Sequence, residues 1–392
     1  MNKSLAYLLP GLLCLALCLC ACSMLPAPEA QDLPAPAATV AAPSSVPGPQ
    51  SAPEAAPSPE ASPAPTEWTI TDESAEEILA LARIPSLKRI DGGQSREYPA
   101  LLELRRLLPD CEIHWQVPLQ GQMLPDDVEE LSLSSTEGLE EALPGLPELS
   151  FVDLSACEPD LELMRRLYAA YPQVDFLFTF TVGREGHRQW QLRSDCTCFS
   201  SLWSGSESYR YTEEDYEPLL RFCRHLRALD LGHSDIRDLT LIGQLTELQV
   251  LVLADNPRIT DLSPLSSLHD LMYIEIFQCY YIEDFSCFFE MPHMVDMNLS
   301  YCENLEDISF LDGMPDFQSG WFRNTRVTEE MLKPYRESRE GLRFVVGSPD
   351  DWSSIVYGWR DTERCRAIRH AFTNWTEVED FRSWDDIVYR GE

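Results

Sequence analysis

Apolar residues recur along the middle of the chain with a period far longer than that of a helix or strand. Between residues 226 and 316 four units begin at Leu226, Leu248, Leu271 and Met294, in steps of 22, 23 and 23 residues, and a weaker fifth begins at Phe317. Each unit opens with a trio of apolar residues: Leu226, Leu229 and Leu231; Leu248, Leu251 and Leu253; Leu271, Ile274 and Ile276; Met294, Met297 and Leu299. Residues two apart on a strand share a face, so the last two of each trio point into one core. Three residues later stands Ser234, Asn256, Cys279 or Cys302, followed by Ile236, Ile259, Ile282 or Leu305.

This is the L-x-x-L-x-L-x-x-N/C-x-L pattern of leucine-rich repeats, which predicts an α/β solenoid. Its curved parallel sheet would carry short helices or 3-10 turns on the convex side, with an α/β N-terminal cap and a C-terminal cap. The Asn, Cys or Ser position falls where the chain turns and can bond the backbone of a neighbouring unit. Cys279, Cys302 and, at a corresponding point upstream, Cys157 are therefore structural thiols, a buried cysteine being a small apolar residue with a weak donor. A second ladder, Asp238, Asp261, Asp284 and Asp307, has two readings: a calcium-binding column, or caps of short convex helices. Asp261-Leu262-Ser263-Pro264-Leu265, with its early proline, favours caps. The stretch Ile259 to Leu265 resembles the Ile-x-Asp-Leu-x-Pro-Leu of internalin-like bacterial surface proteins. The third and fourth units have Cys287 and Phe310 in place of the proline. The resemblance implies a binding role.

Upstream, Val128, Leu131 and Leu133 match Leu149, Val152 and Leu154 at a spacing of 21. Two segments, Leu101–Leu119 and Leu161–Val182, share a helix-then-strand pattern around Leu-Arg-Arg-Leu or Met-Arg-Arg-Leu. Residues 67–200 are read as a capping region of irregular long repeats that begins with a helix near Asp72–Arg83. Residues 201–332 hold the leucine-rich repeats. Residues 333–392 lose the period; Trp352, Trp359, Trp375 and Trp384 and a helical Thr362–Phe372 suggest a C-terminal cap, which solenoids need to cover exposed core. The segment Ser353–Arg360 resembles, loosely, an end segment of leucine-rich-repeat lipoproteins of gut-type Firmicutes.

The N-terminus changes the picture of where the protein resides. Residues 1–21 read as a signal peptide, with Lys3 in the n-region and an apolar run from Leu5 to Ala21. Leu19-Cys20-Ala21-Cys22 resembles the lipobox of bacterial lipoproteins, which implies diacylglycerol on Cys22, a palmitate-type anchor to the cell membrane and exposure on the outside. Residues 22–66 form a spacer of Pro, Ala, Ser and Glu that cannot bury a core. Its stretch from Pro26 to Pro65 would reach about 120 Å as extended polyproline II.

The chain of 392 residues has a formal net charge of −35. Such a surface repels nucleic acid and anionic headgroups and favours a basic partner. Nine cysteines follow Cys22, an odd number in a large domain, which argues against a disulfide framework. No P-loop, G-x-S-x-G, H-E-x-x-H or G-x-G-x-x-G occurs. Cys196-x-Cys198 with His187 nearby is the best candidate nucleophile or metal site, and it is a weak spacing. The expectation is a non-enzyme with no metal and no cofactor.

Function would sit on the concave strand face. Its early positions are small, whereas the later ones present Tyr273, Glu275, Phe277, Asp296, Asn298, Trp321 and Arg323, an aromatic and charged set of the kind that makes interface hot spots. These are the expected contacts to a protein or glycan. The competing expectation is that the C-terminal cap folds over them. A structural envelope role without a discrete ligand is the alternative function.

Overall fold

Single apolar residues flanked by polar ones mark the first strands, and they fall at the repeat spacing. A computed structural model describes residues 64–201, 209–347, 358–360 and 362–375. The expected signal peptide, Cys22, nearly all of the spacer, Trp352, Trp384 and the segment 353–357 lie outside the described residues. Strands β1 (Glu67–Thr69), β2 (Arg89–Asp91) and β3 (Glu112–His114) pair in parallel, with Trp68, Ile90 and Ile113 in register. A hairpin follows, β4 (Gln116–Leu119) and β5 (Gln122–Pro125). A second parallel trio, β6 (Glu130–Ser132), β7 (Phe151–Asp153) and β8 (Asp175–Leu177), is followed by the hairpin β9 (Thr179–Gly183) and β10 (Gln189–Arg193). The stretch expected as a cap thus carries repeat-spaced strands itself.

What differs there is the return path. In this half it includes full helices: α1 (Ala75–Ala80), α2 (Tyr98–Leu107), the short α3 (Leu139–Ala142), α4 (Leu161–Ala170) and α5 (Glu213–Phe222). Helix α4 starts at Asp160, whose carboxylate accepts from Glu162 N at 3.2 Å. It buries Met164, Leu167 and Tyr168 on one face. Thr212 and Asp215 form a capping box at the start of α5, which satisfies two otherwise orphaned donors.

The regular part is a seven-stranded parallel sheet in sequential order: β11 (Cys198–Ser200), β12 (Ala228–Asp230), β13 (Val250–Val252), β14 (Tyr273–Glu275), β15 (Asp296–Asn298), β16 (Ser319–Arg323) and β17 (Arg343–Gly347). Phe199, Leu229, Leu251, Ile274, Met297, Gly320 and Phe344 share one register row facing the core. Gly320 breaks the apolar row because a Cβ there would meet Phe322 Cζ at 2.6 Å; the Phe322 ring fills that space instead. The returns from β12 to β16 are 3-10 turns at Ile242–Gln244, Ser263–Ser267, Ser286–Glu290 and Ser309–Gly313, and the return from β16 to β17 is the helix α6 (Glu329–Ser338).

Each expected ladder has its geometry. The Asn256 amide oxygen accepts from Ile236 N, and its nitrogen donates to Leu231 O and Leu253 O, all at 3.0 Å. In the next two units the thiols of Cys279 and Cys302 donate to Leu253 O (3.6 Å) and Ile276 O (3.3 Å). Asp238, Asp261, Asp284 and Asp307 each accept from the amide two residues on, all at 2.8 Å. The carboxyls are held below their ordinary value, at Asp238 by the Thr240 hydroxyl and then its amide, and at Asp284 and Asp307 by the amides and then the hydroxyls of Ser286 and Ser309. They are caps.

One ladder has no counterpart in the apolar pattern. His233, Asp255, Gln278, Tyr301 and Asn324 all have positive φ, between 51° and 67°. At each corner the residue's N–H reaches the carbonyl of the next unit, as in Asp255 N to Phe277 O (2.6 Å) and Tyr301 N to Arg323 O (2.8 Å). Side chains rarely enter this left-handed region, so every corner holds some backbone strain against an inter-unit hydrogen bond.

Candidate functional site

The sheet face opposite the repeat core takes alternate residues from each strand, and the expected site residues all fall on it. Tyr273 and Asp296 share one register row; Glu275, Asn298 and Trp321 share the next. The structure therefore brings them together. It does not leave them on the surface. Tyr273 is 1% exposed, Asn298 2%, Asp296 4%, Glu275 5%, Trp321 6% and Phe277 9%. Arg323 is half-buried, with its guanidinium 5.9 Å from the centre of the Trp321 ring.

The reason is helix α7 (Glu363–Trp375), which lies on this face together with Trp359. Trp359 stacks on Tyr273, ring centres 5.7 Å apart, and meets Trp321 edge-on at 5.6 Å. Gly358 permits that approach, because a Cβ there would stand 2.7 Å from Trp321 Cη2. Cys365, Ala367, Ile368, Ala371 and Phe372 of α7 are buried against Ala228, Val250 and Val252. The small early positions of the face are thus the bed for a helix.

The charged site residues are partnered by the same helix. Arg364 Nη1 lies 2.7 Å from Asp296 Oδ1, and Arg369 Nη2 lies 3.8 Å from Glu275 Oε1. Tyr273 donates its hydroxyl to Glu275 at 3.3 Å. Burial raises the Asp296 carboxyl above its ordinary value, with Arg364 and Arg343 opposing the shift. Burial also pushes the Cys365 thiol up to about 11, with the Glu275 carboxylate adding to it. The space left beneath Trp359 and Arg360 is about 20 Å³, room for a single water at most. The expectation of an exposed hot-spot patch is corrected: in this structure these side chains seat the chain's own C-terminal helix.

The candidate thiol site is likewise structural in its contacts. Cys198 is buried on the face under α7, and Cys196 donates to Cys198 O at 3.0 Å. His187 stacks on Tyr209, centres 4.1 Å apart. Among the described residues no group of three or more His, Cys, Asp or Glu is arranged to hold a metal.

Sequence reasoning did not single out the aromatic row that is accessible. Four rings run in successive edge contacts from the covered face to the corner: Phe277 to Tyr301 (5.6 Å), Tyr301 to Tyr280 (6.2 Å) and Tyr280 to Tyr281 (6.4 Å). Tyr281 is 66% exposed, and Tyr280 and Tyr301 are half-buried. Partial burial raises the Tyr280 hydroxyl, and the nearby carboxylates of Asp255 and Glu303 add to the shift. The available signal was positional: Tyr280 follows the turn cysteine Cys279, and Tyr301 precedes Cys302.

A family profile described as Leucine Rich repeats (2 copies) matches residues 224–267, which hold β12 and β13 with Ser234 and Asn256 at the turn positions. The fold is a leucine-rich-repeat solenoid. Similar solved structures include internalin C2 of Listeria monocytogenes, at 22% identity over 40% of this chain and 65% of that one, with a TM-score of 0.32. Another is an internalin, InlF, of the same organism, at 17% identity over 58% of each chain and a TM-score of 0.32. A leucine-rich-repeat protein of Leptospira interrogans is 12% identical over 68% of this chain and 74% of that one, at a TM-score of 0.29. The chain therefore spans less than two thirds of the length of either internalin. No curated protein matches the sequence. The leucine-rich-repeat assignment rests on the register and side-chain ladders of this chain.

Proposed function

We propose that this protein is a membrane-anchored, extracytoplasmic, non-enzymatic binding protein whose partner is a protein with a basic surface. The partner docks along the corner that carries Tyr280, Tyr281 and Tyr301. Leucine-rich-repeat solenoids are extended interaction scaffolds, and the anchor rests on the lipobox-like run ending at Cys22. No helix among the described residues is long and apolar enough to cross a membrane; the attachment proposed is a lipid on Cys22.

The observation that carries this reading is the covered face. With Tyr273, Asp296 and Trp321 engaged by α7 and Trp359, the corner row is an aromatic surface left open among the described residues, and it ends in a Tyr281 that is 66% exposed. Tyrosine offers large, rigid contact area with a polar end and is enriched at interfaces. Asp255 and Glu303 beside Tyr280, on a chain of net charge −35, favour a cationic surface and disfavour phosphate-bearing partners.

The test is capture of envelope and secreted proteins by the ectodomain, compared with a Tyr280→Ala/Tyr281→Ala variant. The reading predicts a basic protein held by the wild type, released by salt and lost by the variant, while both melt at the same temperature. Equal capture by both would remove the corner from the interface. Capture of glycan in place of protein, or of nothing by either, would transfer the assignment to glycan recognition or to a structural envelope role.

A further inference from the structure

One row of the concave face runs on past the point where α7 is anchored. Tyr273, Asp296, Ser319 and Arg343 stand in successive strands at one register position. The C-terminal segment engages the first two: Trp359 stacks on Tyr273, and Arg364 pairs with Asp296 at 2.7 Å. Arg364 also donates through Nη2 to Gln318 Oε1 at 2.7 Å, which ties the first turn of α7 to the strands. Beyond that anchor, Ser319 and Arg343 line a cavity of about 270 Å³ that is also bordered by Thr362, Glu363 and Arg364.

The polar groups of this cavity divide into spent and open ones. The Thr362 hydroxyl is spent, donating to Trp359 O at 2.8 Å and accepting from Cys365 N at 3.3 Å. Ser319 is 9% exposed, and its hydroxyl has no hydrogen-bond partner among the described residues. Folded proteins rarely leave a buried hydroxyl unmet, so one that lines a cavity is met by what the cavity holds. Arg343 is exposed, and no carboxylate pairs with it among the described residues. Glu363, also exposed, opens the 13-residue α7, whose N-terminus borders the cavity with the positive end of its dipole. The larger groove beside α6 offers no comparable set, because its arginine, Arg339, is spent on Leu311 O and Met314 O.

We propose that this cavity binds a small monocarboxylate carrying hydrogen-bond donors beside its charge, as a sugar acid or an amino acid does. The Arg343 guanidinium takes the carboxylate in its two-pronged fork. Ser319 donates its hydroxyl to a carboxylate oxygen, and the start of α7 adds its dipole. Glu363 accepts from a hydroxyl or ammonium group of the ligand and repels a second negative charge. Arg364 is held by Asp296 and Gln318, so it fixes the wall in place. A volume of about 270 Å³ lies below the range of pockets for drug-sized ligands, which restricts the occupant to a single sugar ring or amino acid.

The experiment is isothermal titration calorimetry of the full chain with D-glucuronate, L-serine, D-glucose and sulfate at constant ionic strength. Glucose lacks the charge; sulfate carries two charges and no donor. The expected result is that glucuronate or serine binds at least about tenfold tighter than glucose and sulfate, and the stronger of the two tells a sugar acid from an amino acid. Arg343→Gln should weaken that binding at least about tenfold at an unchanged melting temperature. Glu363→Gln should raise the affinity for sulfate. Binding of neither carboxylate, a smaller margin over glucose or sulfate, or full affinity in Arg343→Gln overturns the proposal. Protein capture does not enter these readouts, so the small-ligand site and the binding role proposed above fail separately.

Discussion

Replacing Asn256 by alanine removes a side chain with no exposed surface that makes three hydrogen bonds of 3.0 Å, one accepted from Ile236 N and two donated to Leu231 O and Leu253 O. Leaving a buried donor unmet costs about 1–3 kcal/mol, and each lost neutral bond about 1 kcal/mol. The total for Asn256→Ala is therefore about 3–5 kcal/mol. The protein contains its own control, because the following units use cysteine here. Asn256→Cys should restore a donor toward Leu231 O, as Cys279 supplies one to Leu253 O, and forfeit the acceptor for Ile236 N. It should cost about half as much as alanine. Equilibrium urea unfolding followed by circular dichroism measures both variants, the midpoint shift at unchanged slope giving the energy. An alanine variant within about 0.5 kcal/mol of wild type, or a cysteine variant as costly as alanine, would refute the ladder as a source of stability.

Three further outcomes follow from the same geometry. Trp359→Ala removes the ring that bridges Tyr273 and Trp321; it should cost about 3–5 kcal/mol and raise the native-state alkylation rate of Cys365, and unchanged alkylation would show that Trp359 does not hold the helix. Gln278→Gly relieves a corner at φ 64° and should leave stability unchanged or raise it by up to about 1 kcal/mol, whereas a loss larger than that would mean the corner is not strained. For His225, burial lowers the imidazole pKa, but hydrogen bonds to Glu247 (2.7 Å) and Asp175 (3.3 Å) raise it more, and the net shift is upward from 6.5. Its contribution is then complete below pH 6.5 and is lost as pH rises through the folded-state value, so the difference in melting temperature between wild type and His225→Gln should shrink from pH 6 to pH 9; a constant difference would contradict the linkage.

The regular half of the fold was readable because its determinants are local and repeated. Leu251, Ile274 and Met297 stand 23 residues apart and share one register row, and the aspartates close the same turn each time. The first two strands escaped notice because each has one apolar residue between polar neighbours, as in Glu67-Trp68-Thr69 and Arg89-Ile90-Asp91. Three-residue strands of that kind carry no alternation to detect. The corner ladder was hidden for a different reason: His233, Asp255, Gln278, Tyr301 and Asn324 share a backbone conformation and no side-chain chemistry.

The candidate face was found as a set, with its exposure left open between a free patch and one covered by the C-terminal cap. The residues that converge on it were legible from strand alternation alone. Its cover depends on a contact between distant parts of the chain, Arg364 with Asp296 and Arg369 with Glu275, which no periodicity encodes. The tyrosine corner illustrates the converse, since side chains outside the repeating offsets become neighbours only when successive units stack.

The central claim is that α7 is seated in the concave face, and Cys365 reports on it most directly. Its thiol is 1% exposed and pushed up to about 11 by burial and the Glu275 carboxylate, while Cys279, with no exposed surface, lies within the repeat core. Native-state alkylation with iodoacetamide, followed peptide by peptide, compares the two in one sample. The account predicts that Cys365 is protected alongside Cys279 until the protein is unfolded. Labelling of Cys365 at the rate of a free thiol, while Cys279 stays protected, would show an open face and return Tyr273, Asp296 and Trp321 to the surface.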